Sequence, residues 1–223
     1  MSNIITVGFI AEGTTDHRFL GDIIERTFTA IASECTTDIE VYAVGPIDVA
    51  EPNTSINDSV YNAAQKASAD GIMVVCVHAD ADSETDLDAF THRINPAFER
   101  VQIALSPDLC RNLVAVVPVH MTESWMLADK PALKYEMNTI LSDADLGLIR
   151  PPEQIADPKA CIKEAIRLSL AHKTKRHRHE LTIGDLYEPL GAKAGLVQLA
   201  SLPSYQKFRE AVREAFRQLN YLH

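Results

Sequence analysis

Positive charge is scarce in this chain: 21 Lys and Arg residues stand against 31 Asp and Glu, a formal net charge of −10. A surface of that sign repels nucleic acid as a whole, which argues against a passive coat protein for DNA or RNA. An enzyme with one basic groove stays open, because local charge and bound cations control a site. Metal-binding cysteine pairs are lacking too. Cys35, Cys76, Cys110 and Cys161 are far apart and form no CxxC motif, and Cys76, inside an apolar run, reads as a small core residue. No apolar run approaches the length of a membrane span, and no basic, then apolar, then cleavable leader opens the sequence. A reduced, cytoplasmic protein without membrane association is expected. Repeats, low-complexity tracts and ATPase motifs are missing as well.

What is present is an alternation of apolar runs and helical periodicities. Residues 4–11 (ITVGFIAE), 39–44 (IEVYAV), 72–78 (IMVVCVH) and 113–120 (LVAVVPVH) read as strands of the buried, parallel kind. Between the first two, Phe19, Leu20, Ile23, Ile24 and Phe28 recur at helical spacing, so residues 16–32 should form a helix packed on the sheet, with Thr14 or Thr15 as its N-cap. Helices over 57–69 and 85–99 follow, the latter broken or kinked at Pro96. This βαβ rhythm predicts an α/β fold with a mostly parallel sheet flanked by helices over residues 1–142. Residues 143–223 read as a mainly helical extension packed on that core, with helices at 159–171 and 204–220. Leu196, Leu199, Leu202, Phe208, Val212 and Phe216 need burial there.

The candidate chemistry lies at the strand exits. Glu12 follows the first strand and precedes Gly13, which permits a tight turn at the carboxyl edge of the sheet, where open α/β folds bind ligands. Asp16 follows four residues later, either sharing that site or serving the positive end of the helix. Asp80 and Asp82 are two apart on an extended segment, so their carboxylates point the same way. Two unpaired negative charges held together are costly without a cation or proton between them, and oxygen donors of this kind suit Mg²⁺ or Mn²⁺. A solvated acidic loop is the plainer alternative, and it is the preferred reading for Asp86 and Asp88. The run is no EF-hand, lacking the central glycine and the closing glutamate. Glu123 follows the fourth strand at the start of a helix, where Trp125 braces the core rather than stacking a base.

These acids, AEGTTD, HADAD and ESWML in that order, resemble the Toprim fold of topoisomerases, primases and the overcoming-lysogenization-defect (OLD) nucleases. The likeness is nearest to small OLD-like Toprim proteins of bacterial defence loci. Glycine two residues beyond the Asp-x-Asp, usual in topoisomerases and primases, is replaced here by Ser83–Glu84–Thr85, which favours the nuclease branch. The resemblance covers residues 4–130 most firmly. It implies Mg²⁺ or Mn²⁺ held by Glu12, Asp16, Asp80, Asp82 and Glu123. It also implies a basic residue on the scissile phosphate, for which Lys159, Lys193 and the string from Lys173 to Arg178 are candidates. Among the carboxylates, Glu12 is the one expected to take a proton. The string, with His172, His177 and His179, is a poor zinc site and a reasonable phosphate clamp. A metal-dependent nuclease acting on nucleic acid is the resulting expectation, controlled by an ATPase partner, with self-association open. The alternatives are a noncatalytic or partner-activated Toprim module and a nucleotide-directed phosphoryl-transfer enzyme.

Overall fold

A computed structural model describes residues 3–49, 55–171 and 181–222. Its centre is a sheet of four parallel strands in the order β2-β1-β3-β4: β1 (Asn3–Ile10), β2 (Ile39–Pro46), β3 (Val74–His78) and β4 (Leu113–Val116). The α/β architecture predicted from the apolar runs is the one observed. Helix α1 (Thr14–Ala32) crosses from β1 to β2 on one face, and α2 (Ile56–Ala69) returns over the other face to β3. The chain therefore leaves β1 toward one edge of the sheet and β3 toward the opposite edge. That reversal opens a crevice between the carboxyl ends of β1 and β3, the usual ligand position in an open parallel sheet.

Each face buries its own apolar layer. Val75 and Val77 of β3 and Ala115 of β4 pack beneath Val60, Ala63 and Ala64 of α2 and beneath Ile94, Ala97 and Val101 of the following helical segment. The opposite residues, Val74, Cys76, Val114 and Val116, meet Phe19, Ile23 and Phe28 of α1, all fully buried. The strand alternation and the helical spacing thus interlock as their periods require. At its N-terminus α1 departs from expectation. Gly13 is the N-cap without a side-chain cap bond, and Thr14 and Thr15 already lie in the helix, while Asp16 keeps its place in the first turn. Ser55 caps α2 by accepting from the Asp58 N–H at 3.2 Å.

The expected helix over 85–99 is three pieces: α3 (Leu87–Ala89), a π-helical turn (Phe90–Ile94) and α4 (Asn95–Ile103). Pro96 lacks an N–H, so a regular α ladder cannot run through it, and the widened turn lies immediately before it. Past β4 come α5 (Thr122–Met126) and α6 (Lys130–Glu136). The C-terminal part contributes α7 (Pro158–Ala171), α8 (Tyr187–Lys193), α9 (Leu196–Leu199) and α10 (Pro203–Gln218), with short 3-10 turns at Pro152–Gln154 and Ile183–Asp185. These helices complete the α1 side of the core: Leu190, Leu199, Tyr205, Phe208, Val212 and Phe216 are buried in the same cluster as Phe19 and Trp125. Gly191 allows the closest approach, because a Cβ there would sit 2.6 Å from the Phe19 carbonyl oxygen. No helix among the described residues is long and apolar enough to cross a membrane.

Candidate functional site

Glu12 and the Asp80–Asp82 pair meet at the crevice between β1 and β3. Glu12 leaves the end of β1 two-fifths exposed. Beyond β3 the chain stays extended beside the continuation of β4: Ala79, Ala81 and Asp82 donate their N–H groups to the carbonyls of Val116, Pro118 and His120 at 3.2, 3.1 and 2.8 Å. Ala79 and Ala81 are buried on one side, which turns the Asp80 and Asp82 side chains to the other. The extended segment ends at Asp82, whose φ of 55° lies in the left-handed region that aspartate tolerates better than most residues.

Asp80 is the most firmly held of the acids. Its Oδ1 accepts from the Thr122 N–H at 3.0 Å and lies 3.2 Å from Nε2 of His78. That imidazole is buried at the end of β3, and its Nε2 also lies 3.2 Å from the Thr122 hydroxyl, while its Nδ1 has no hydrogen-bond partner among the described residues. Neither His78 nor Thr122 stood out in the sequence. A strand-terminal histidine reads as an ordinary core residue there, and its contact with Thr122 spans 44 positions.

Arg93 joins the two acidic exits. One guanidinium nitrogen, Nη1, donates to Glu12 Oε1 at 2.9 Å and lies 3.6 Å from Asp82 Oδ2, and Nη2 donates to the Asp80 carbonyl. The arginine projects from the π-helical turn, a local geometry that often marks functional positions. Burial pushes the Glu12 carboxyl above its ordinary range. His78 and Arg93 oppose that rise, and the neighbouring Asp80 and Asp82 add to it. The Glu12 and Asp82 carboxylates face one guanidinium and the Asp80 carboxylate adds its charge nearby, so negative charge remains in excess after the arginine is counted.

Glu123 and Asp16 form an adjoining layer rather than a continuation of this cluster. Glu123 is buried in the first turn of α5, accepts a short hydrogen bond from the Tyr187 hydroxyl, and lies 3.5 Å from the Lys159 ammonium. Asp16 folds its carboxylate over Gly13 and faces the same tyrosine. Burial holds the Tyr187 hydroxyl far above its usual range, with Glu123 and Asp16 adding to the effect. Lys159 is half exposed beside Glu123 and so keeps its place near the acids. Lys193 is engaged elsewhere: its ammonium lies 2.7 Å from Glu136 and 5.0 Å from the centre of the Tyr135 ring, and neither residue belongs to the cluster. The basic string 173–178, with His172, His177 and His179, falls outside the described residues. Trp125 is fully buried and donates to the Ser204 hydroxyl at 2.7 Å, which leaves no ring face for a base.

No protein-family model, curated protein or solved structure matches this chain. The site is therefore judged on its own donors. Carboxylate oxygens with negative charge in excess fit Mg²⁺ or Mn²⁺ in type and in charge, and the guanidinium of Arg93 is a cation already standing among them. The Glu12 and Asp82 side chains are directed at that guanidinium, and the Asp80 carboxylate at Thr122 and His78, rather than all at one centre. Among the described residues, no group of three or more His, Cys, Asp or Glu is gathered as a ready metal cage.

Proposed function

We propose that this chain hydrolyses phosphodiester bonds in nucleic acid, using Mg²⁺ or Mn²⁺ held by Glu12, Asp80 and Asp82. The observation that supports it most is the single guanidinium shared by acids from two strand exits 68 or more positions apart, at the switch point of a parallel sheet. The resemblance of the AEG and DAD motifs to Toprim nucleases points the same way. When bound, the ion would supply a water of lowered pKa and offset charge on the phosphate. Glu12, at the rim of the crevice, takes the proton of the attacking water on a carboxylate oxygen. Thr122 and His78 keep Asp80 fixed, which orients the acid pair without touching substrate. Arg93, released from Glu12, and the half-exposed Lys159 are the cations within reach of a scissile phosphate.

A partner-controlled module is the second reading, and Arg93 is the residue that favours it. While the guanidinium fills the acid cluster, cation entry needs a shift of the Arg93 side chain. Docking of a partner such as an ATPase would supply that shift. Cleavage of end-labelled single-stranded and duplex DNA and RNA with Mn²⁺ tests the main reading. Chelation should abolish hydrolysis, and Glu12→Gln, which keeps bulk and removes basicity, should lower the rate by about 10²-fold or more. Full activity in that variant would move the proton acceptor elsewhere. Inactivity of the wild type on every polymer would shift the weight to the partner-controlled module.

A further inference from the structure

We infer that Glu123 is a positioning residue: it aims the Lys159 ammonium at the scissile phosphate and does not itself hold the metal, the role that the resemblance implies for it. The inference rests on the hydrolase reading above. Glu123 Oε1 lies 3.5 Å from the Lys159 ammonium and also accepts from the Tyr187 hydroxyl, so one oxygen is engaged twice. The glutamate side chain is 5% exposed against 46% for the lysine, which makes one end of the pair fixed and the other open to a ligand. A buried carboxylate needs a counter-charge, and the lysine brings it from the solvent side. An ammonium has three donors, and one turned to Glu123 leaves two for phosphate oxygens.

Lys159 also stands where helix electrostatics alone would not put it. It is the second residue of α7, and the positive end of a helix disfavours a cation. Residues that break a local rule concentrate at functional sites. The backbone beneath it is anchored, with Pro158, Ile162, Ala165 and Ile166 buried. The pair adjoins the acid cluster through one residue: Thr122, which precedes Glu123, donates its N–H to Asp80 Oδ1 at 3.0 Å. On the other flank, the Tyr187 hydroxyl that holds Glu123 also faces Thr15, three residues past Glu12. Lys159 and Arg93 come from opposite layers, since α7 packs with Phe19 and Trp125 on the α1 side and the π-helical turn packs with α2. A phosphate over the acids would meet one cation from each side, which is how charge developing on its oxygens is stabilised. A lysine head has a flexible four-carbon stem, and an immobile carboxylate beside it restricts that freedom before the transition state is reached.

A double-mutant cycle on the full chain separates this role from packing and from metal binding. The variants are Glu123→Gln, Lys159→Met and both together, assayed with Mn²⁺ on the end-labelled nucleic acids above, with Mn²⁺ affinity read by electron paramagnetic resonance. Lys159→Met should lower kcat by about 10²-fold and Glu123→Gln by about tenfold or more, with KM changed less. Once Lys159 is replaced, Glu123→Gln should have no further effect, because a residue that acts through another is silent when that other is gone. Mn²⁺ affinity should equal that of the wild type in all three. Tyr187→Phe, which frees Glu123 without removing charge, should follow the same pattern and takes the place of Glu123→Gln if circular dichroism shows that variant unfolded. Losses that multiply in the double variant would overturn the proposal and leave the hydrolase reading intact. A Mn²⁺ affinity lowered by Glu123→Gln would overturn it too, making Glu123 a metal ligand. A wild type that cleaves no polymer would remove the hydrolase reading and this inference with it.

Discussion

The Tyr187 hydroxyl reaches across 64 positions to a carboxylate that has almost no access to water, and the ammonium of Lys159 lies 3.5 Å from that same carboxylate. Removing one partner of such a buried group leaves its desolvation uncompensated. Tyr187→Phe is therefore expected to cost about 1–3 kcal/mol in a urea unfolding titration, although it deletes a single oxygen atom. A loss below about 0.5 kcal/mol would mean that Glu123 is adequately served by Lys159 alone. At this scale the sequence was legible where a residue type announces a local need. Gly13 marks the tight turn after β1, and the alternation of Asp80 with Asp82 marks an extended segment aimed one way. Arg93 was illegible because FTHRI reads as an ordinary helical surface, and nothing local ties it to Glu12, 81 positions earlier. Tyr187 was hidden for the same reason, since its partner Glu123 is 64 positions away, and so was the contact of His78 with Thr122 across 44 positions. By sequence alone Lys193 is as good a candidate phosphate contact as Lys159. A nearer acid, Glu136, and an aromatic ring hold it.

Apolar periodicity fixed the elements that bury a continuous face, namely α1, α2 and α10, and it marked the strands to within a few residues. It missed the breaks. The run LVAVVPVH pairs regularly with β3 only as far as Val116, and Pro118 then lets the chain continue by isolated hydrogen bonds, carrying the partner segment on to Asp82. The π-helical turn has no sequence period of its own, and Pro96 gave only the place where a regular helix must fail. Between elements, Glu34, just past the end of α1, is paired with Arg213 and Arg209 of α10. Arg213 binds both oxygens of Glu34 at 2.8 Å, and this lowers the Glu34 carboxyl below its ordinary range. A carboxyl depressed in the folded state stabilises above its unfolded value of about 4.5 and loses that contribution as the pH falls through its folded value. Glu34→Gln should accordingly be less stable than the wild type at pH 7 by about 0.5–1 kcal/mol, a figure reduced for solvent screening of a partly exposed pair. The two proteins should converge in acid. A difference that persists at pH 2.5 in thermal unfolding would assign the effect to packing rather than charge.

Seen whole, the molecule places its acids where the topology reverses and surrounds them with few cations. The C-terminal helices are integral to this arrangement: α8 and α10 close the α1 side of the core, and Tyr187 at the start of α8 holds Glu123 beside the crevice. The apolar positions of that half were readable from helical spacing, while its contact with the strand exits was not. On the reading proposed above, Glu12, Asp80 and Asp82 form a cation site in which Arg93 is the present counter-ion. Mn²⁺ binding to the purified full chain, followed by electron paramagnetic resonance with circular dichroism as the check on folding, tests it most directly. Saturable binding is expected in the wild type, with its loss in the Asp80→Asn, Asp82→Asn double variant and tighter binding in Arg93→Gln, where the competing guanidinium is gone. Unchanged Mn²⁺ affinity in the folded double variant would contradict it.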